Sequence, residues 1–173
     1  MDDSLWVAPT RSKLLQIVEK AESFYKFTRI RVNPTKSVLA TNSTLIDKTI
    51  KLNNETIIAV KKDKLFKYLG AWFSLSCNPS KKQKIIITEA RSSLNKLQYA
   101  LITEKQAIYI INSVIIPRIT YQLYSTFLSL SQLTSLTRSY TNIVKHKAKL
   151  SRRIPNFFLY HPEIYSLINL SQA

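Results

Sequence analysis

Leu65-Phe66-Lys67-Tyr68-Leu69-Gly70-Ala71-Trp72-Phe73-Ser74 is the stretch at which this chain changes character. It carries one charge, Lys67, and the single glycine of the 173 residues. Its composition is that of a core strand. A lone glycine inside such a run marks a bend, a bulge or the close approach of another backbone. Ahead of it the apolar residues alternate as in strands; beyond Asn78-Pro79 they recur as in helices. The expected fold class is therefore α+β, with an antiparallel sheet and a covering helix followed by an all-helical region.

Upstream, Ser4-Leu5-Trp6-Val7-Ala8 reads as a strand ended by Pro9. Thr10 or Ser12 can cap a helix reaching about Phe27. That helix has Leu14, Leu15, Val18, Ala21, Phe24 and Tyr25 on one face. Ile30 and Val32 alternate with Arg29 and Arg31, a strand with one polar face. Asn33-Pro34 turns the chain, Lys36 follows, and residues 37–40 form a second apolar strand. Residues 49–52 and 55–60 are further alternating runs joined by Asn53-Asn54, which tolerates a tight turn.

Downstream, Ser80 is expected to cap a helix through about Ala100. Thr103 and Gln106 have the spacing of a capping box and open another. Pro117 must kink or end that helix, because it lacks an N–H and collides with the preceding turn. Ser129 or Ser131 starts a last long helix to about Leu150. Residues 154–173 read as a short helix forming a C-terminal tail or the start of a missing region, with their packing partner absent from this chain or further along in a longer protein. The chain thus divides into 1–76, 77–153 and 154–173.

Charge narrows the function classes. Twenty-six Lys and Arg against ten Asp and Glu give a net charge of +16. Such an excess repels itself in the folded state and points to a polyanionic partner, most commonly nucleic acid. Arg138, Lys145, His146, Lys147, Lys149, Arg152 and Arg153 form an acid-free cluster near the end of the last helix, the best local phosphate-contacting candidate. One glycine excludes phosphate-binding loops and dinucleotide fingerprints, both of which need several. The longest apolar stretch, 107–130, is interrupted by Asn112, Pro117, Arg118 and Gln122, so no membrane span is expected. No signal peptide is expected behind an acidic N-terminus. The single Cys77 has no internal disulfide partner, which fits a reducing compartment. Asp2-Asp3 is an adjacent carboxylate pair of the sort that can hold a divalent metal against phosphate.

The order of these pieces resembles a reverse transcriptase, an RNA-directed DNA polymerase, of the non-LTR, LINE-like retrotransposon class. Met1-Asp2-Asp3 resembles the end of that family's Tyr/Phe-x-Asp-Asp catalytic hairpin. Arg31-Val32-Asn33-Pro34-Thr35-Lys36-Ser37 resembles its strand–turn–lysine motif. Phe66-Lys67-Tyr68-Leu69-Gly70 resembles its Phe-x-Tyr-Leu-Gly primer-grip hairpin. Residues 105–124, including Ser113-Val114-Ile115-Ile116-Pro117-Arg118, are similar to the thumb helix behind the palm. The matching segments span about residues 1–125.

The resemblance implies a partial palm at 1–76 and a thumb-like region at 77–153. It implies two-metal nucleotidyl transfer with Mg²⁺, Asp2 and Asp3 as metal ligands, and Lys36 facing the departing pyrophosphate. Residues 66–70 would place the primer end, and the basic helices would hold an RNA template and DNA primer. The family's first palm aspartate and fingers would precede Met1, so the chain alone is expected to be catalytically incomplete. Nuclear work would suit such an enzyme, although no clear targeting signal is present. A non-catalytic basic nucleic-acid-binding module and an inert truncated relic are the competing readings.

Overall fold

The backbone of this α+β chain is set by helix caps and by two short ribbons, seen in a computed structural model that describes residues 4–42, 49–52, 55–76 and 78–170. Its contacts separate two units. One is Met1–Leu69 with Phe73–Cys77, the other Gly70–Trp72 with Asn78–Ala173.

In the first unit, helix α1 spans Arg11–Thr28. The Thr10 hydroxyl accepts from the Lys13 N–H at 3.4 Å, so the expected cap forms. The Thr28 hydroxyl donates back to the Phe24 carbonyl at 2.8 Å. Arg29 adopts the left-handed conformation (φ 57°) and returns its N–H to Lys26 and Tyr25. This end geometry satisfies the last carbonyls of the helix.

Strand β1, Thr49–Leu52, pairs antiparallel with β2, Glu55–Ile58, from Thr49 opposite Ile58 to Leu52 opposite Glu55. Ile50 and Leu52 point inward and Lys51 outward, the period-2 alternation of a half-buried strand. With Val18 they form a small core, onto which Trp6, Leu14, Val32, Leu39 and Ile57 pack.

Three expected strands do not form. Residues 4–8 have no ladder, and Trp6 contributes packing alone. Residues 30–32 likewise have none, and 37–40 supply a single parallel bridge, Leu39 to Ala59. Alternation suits a strand, but a strand exists only against a neighbour. Asn33 spends this stretch on a local turn instead. Its side-chain oxygen accepts from the Thr35 N–H at 3.0 Å and caps the 3₁₀ turn Pro34–Lys36.

Strand β3, Phe66–Tyr68, and β4, Ala71–Phe73, form a second two-stranded sheet. Leu69 (φ 47°) and Gly70 (φ 82°) turn between them. Positive φ at both central positions is the signature of a type I′ hairpin turn.

The second unit is helical. α2 covers Ser80–Tyr99, α3 Glu104–Ile110, α4 Ile116–Leu123, α5 Leu130–Lys147 and α6 Phe157–Tyr160. Ser80 is not the side-chain cap of α2; its N–H donates to Asn78 Oδ1 at 3.0 Å, so the preceding Asn closes the turn. Thr103 with Gln106 and Ser129 with Gln132 are complete capping boxes for α3 and α5. Between α3 and α4 the chain widens into a π-helical turn, Ile111–Ile115. Pro117 follows directly, at the start of α4. The wider turn carries the chain past a residue that neither donates nor fits a regular α-turn.

Ile111, Leu136, Tyr140, Val144 and Leu159 are fully buried in a core built on α2, α3 and α5. Residues 154–170 find their partner in this unit, contrary to the sequence expectation. Leu159, Leu167 and Leu170 join the core. Asn112 clamps the segment, donating to the Ser166 carbonyl at 2.8 Å and accepting from the Ile168 N–H at 3.0 Å. The Tyr140 hydroxyl donates to the Ile168 carbonyl at 3.0 Å and accepts from the Leu170 N–H at 2.9 Å.

Burial raises the Tyr140 phenol above its ordinary value, against smaller lowering effects of its hydrogen bonds to Thr137 and Leu170. A raised folded value means that the stabilisation is complete below the unfolded tyrosine value of about 10 and is lost as pH rises through the folded value. Tyr140→Phe is expected to cost about 1–2 kcal/mol near neutral pH through its lost hydrogen bonds to Thr137, Ile168 and Leu170. Its stability should then fall less than that of the wild type from about pH 8 to pH 11. Urea unfolding at both pH values measures this; parallel losses in the two proteins would contradict it.

Candidate nucleic-acid interface

The second unit presents a polar groove of about 480 Å³ along α2 and α5. Arg91, Asn95 and Gln98 line it from α2; Ser139, Asn142 and His146 line it from α5, with Arg152 beyond the helix end. The α2 residues are spaced four and three apart and the α5 residues three and four, so each set shares one helix face. No aspartate or glutamate lines the groove. Arginine and side-chain amides are donors suited to phosphate and sugar oxygens. Charge alone does not single out Arg91, Asn95, Gln98, Ser139 or Asn142. Their heptad-like polar spacing was the available signal.

The basic cluster separates into two kinds of cation. Arg138, His146, Lys149, Arg152 and Arg153 are exposed. Lys149 sits at φ 55°, just after α5. Lys145 is buried, and its ammonium donates to the carbonyls of Arg152 (3.2 Å) and Ile154. Lys147 is half-buried and donates to the Ala100 carbonyl, just past the end of α2. Both lysines belong to the cluster that the sequence marks as phosphate-contacting. Both donate to backbone carbonyls, their stems lying on or beside the inward face of α5.

The string 66–70 occupies β3 and the turn after it. Phe66 stacks on Phe73 at 6.2 Å, and Tyr68 meets Phe73 edge-on at 6.4 Å. Lys67 and Leu69 are exposed. The Gly70 carbonyl accepts from Gln122 Nε2 of α4 at 2.7 Å. A Cβ at Gly70 would meet Tyr121 at an ordinary 3.5 Å, so the glycine answers to its left-handed φ rather than to crowding. In β4, the Trp72 indole donates to Glu89 of α2 at 3.3 Å, and Glu89 lies 3.5 Å from Arg118 of α4.

Lys36 ends the 3₁₀ turn of the first unit, exposed to solvent. Asp2 and Asp3 lie outside the described residues. Among the described residues, no group of three or more His, Cys, Asp or Glu is placed to hold a metal ion. Among them too, no helix is long and apolar enough to cross a membrane.

Compared with known proteins, the chain matches no family model, no curated protein and no solved structure.

Proposed function

We propose that this chain is the palm-and-thumb region of a LINE-like, non-LTR retrotransposon reverse transcriptase. The role carried by its described residues is the holding of template and primer. The observation that supports this most is the position of Phe66-Lys67-Tyr68-Leu69-Gly70. This string fills one strand and the turn of a tight hairpin, and a helical unit with an acid-free cationic groove follows it in the chain. In this reading the hairpin tip places the primer end, while Arg91, Arg152 and the exposed cations after α5 take backbone phosphates. Bound Mg²⁺ would supply the nucleotidyl-transfer chemistry of the family. It falls to Asp2 and Asp3 by resemblance, with Lys36 facing the leaving group.

A second reading, a basic module that binds nucleic acid without chemistry, rests on the same groove and makes no use of the hairpin. The two separate in a photocrosslinking experiment. An RNA–DNA template–primer carrying 4-thiothymidine at the primer 3′ end is irradiated with the full chain and the crosslinked peptide is sequenced. The polymerase reading expects crosslinks concentrated at residues 66–70 and lost when the thiobase is moved to the far end of the duplex. Crosslinks spread over the lysine-rich surface, wherever the thiobase sits, would favour the basic module.

A further inference from the structure

From Lys105 to Pro162 the chain carries no aspartate or glutamate. Within that span, the segment after α5 joins exposed cations to exposed aromatic rings. Lys149, Arg152 and Arg153 are exposed, and Phe157 and Phe158 follow at the start of α6. Phe157 is 65% exposed and Phe158 45%.

The turn that carries the rings is anchored. Leu159, the next residue, is fully buried in the core of the helical unit. The Asn156 carbonyl accepts from the N–H groups of Leu159 at 2.9 Å and Tyr160 at 3.2 Å. Phe157 meets Phe158 at 5.9 Å and His161 at 5.6 Å, both near edge-on. The backbone that carries the cations is held as well, since the buried Lys145 ammonium donates to the carbonyls of Arg152 and Ile154. Folding alone does not favour an ordered turn that leaves two adjacent phenylalanines in water.

The chemistry of the patch selects its occupant. Cations precede the rings, so the partner is anionic; the rings require flat apolar faces. Unpaired bases on a phosphate backbone offer both, and base–aromatic stacking tolerates any sequence. A second copy of this chain would bring its own charge of +16 against the same cations. α6 is a single turn of four residues, too short to present the apolar face by which helices lie on membranes. Arg152 also lines the cationic groove. Five residues span at most about 18 Å, so a strand leaving that groove passes within reach of Phe157.

We propose that Phe157 and Phe158 form a stacking platform for the unpaired bases of a single-stranded nucleic acid, with Lys149, Arg152 and Arg153 on its phosphates. This rests on the nucleic-acid reading of the helical unit and adds a single-strand subsite to it. Two probes test it, each an RNA–DNA duplex with a template tail of about ten nucleotides, within the usual span of such sites. One tail carries bases and the other is abasic, so their phosphates are alike. Anisotropy with the full chain is expected to show roughly tenfold tighter binding of the base-bearing tail. Phe157→Ala with Phe158→Ala should erase that difference and leave the affinity for a blunt duplex unchanged. Phe157→Tyr with Phe158→Tyr keeps both rings and should preserve the difference, as should Phe27→Ala, which removes an 87% exposed ring of α1. Equal affinity for the two tails, a preference that survives the double alanine variant, or an equal loss of blunt-duplex binding in that variant would each overturn the proposal. Equal affinity for the tails with Phe157-dependent binding to phosphatidylserine vesicles would assign the patch to a membrane surface instead. Blunt-duplex binding indifferent to Arg91→Glu would contradict the groove, while a ring-dependent preference for the base-bearing tail would still uphold the platform.

Discussion

Affinity for an RNA–DNA template–primer is expected to fall by about 10³–10⁵-fold as salt rises from roughly 50 to 200 mM. This is the dependence of a protein that neutralises about six or more phosphates. The net charge of +16 supplies the long-range attraction. In the proposed function the exposed side chains of Arg138, Lys149, Arg152 and Arg153, the groove residue Arg91 and further exposed lysines would supply the discrete contacts. Each contact releases counterions, so a plot of log affinity against log salt should be linear and steep. Fluorescence anisotropy at a series of salt concentrations gives the slope. A shallow slope, near that of one or two contacts, would mean that most of this charge faces no nucleic acid.

The second large effect is on stability and falls on Lys145. Lys145→Met removes a buried ammonium and leaves the carbonyls of Arg152 and Ile154 without their donor. The expected cost is about 2–4 kcal/mol, because charge-assisted hydrogen bonds contribute more than neutral ones and buried acceptors are costly to orphan. Methionine keeps most of the volume, so little of the loss comes from a cavity. Lys149→Met, at an exposed position, should leave stability within about 0.5 kcal/mol of the wild type. The two variants should exchange rank in duplex binding. Lys149→Met weakens it, while folded Lys145→Met binds as the wild type does. Urea unfolding and anisotropy on the same samples test both halves. A Lys145 variant as stable as the wild type would return that lysine to the surface.

How far the sequence could be read depended on whether local chemistry was enough. The caps at Thr10, Thr103 and Ser129 are local. Each needs only an oxygen three residues ahead of an N–H; Thr103 caps where spacing placed it, and Thr10 and Ser129 do so where the sequence also offered Ser12 and Ser131. The helical periodicity of 80–147 was legible for the same reason. Strands at 4–8 and 30–32 were not, because alternation reports only that one face is apolar. A ladder also requires a neighbour in register, which no local pattern encodes. Pro117 is legible in the sequence as an interruption. That the chain widens at 111–115 and continues depends on Ile111 and Ile115 being held in the core.

At the candidate site, net charge pointed to a polyanion but not to which cations would meet it. Lys145 follows Thr137 and Thr141 at four-residue spacing, and all three are buried. That stripe placed the lysine on the inward face and could have been read. The Gln122 contact behind the 66–70 turn could not. It is a hydrogen bond from Gln122 to the Gly70 carbonyl, fifty-two residues away.

In the proposed function, nucleic acid binds in the groove between α2 and α5 and is not held by charge alone. One comparison addresses this directly. Arg91→Glu with Arg152→Glu reverses two groove residues; Lys13→Glu with Lys20→Glu reverses two exposed residues of α1 and lowers the net charge equally. Template–primer affinity is measured for both at one fixed salt concentration. The groove variant is expected to lose on the order of 100-fold and the α1 variant only a few-fold. Equal losses in the two would contradict the groove and leave general polyanion attraction as the whole of the binding.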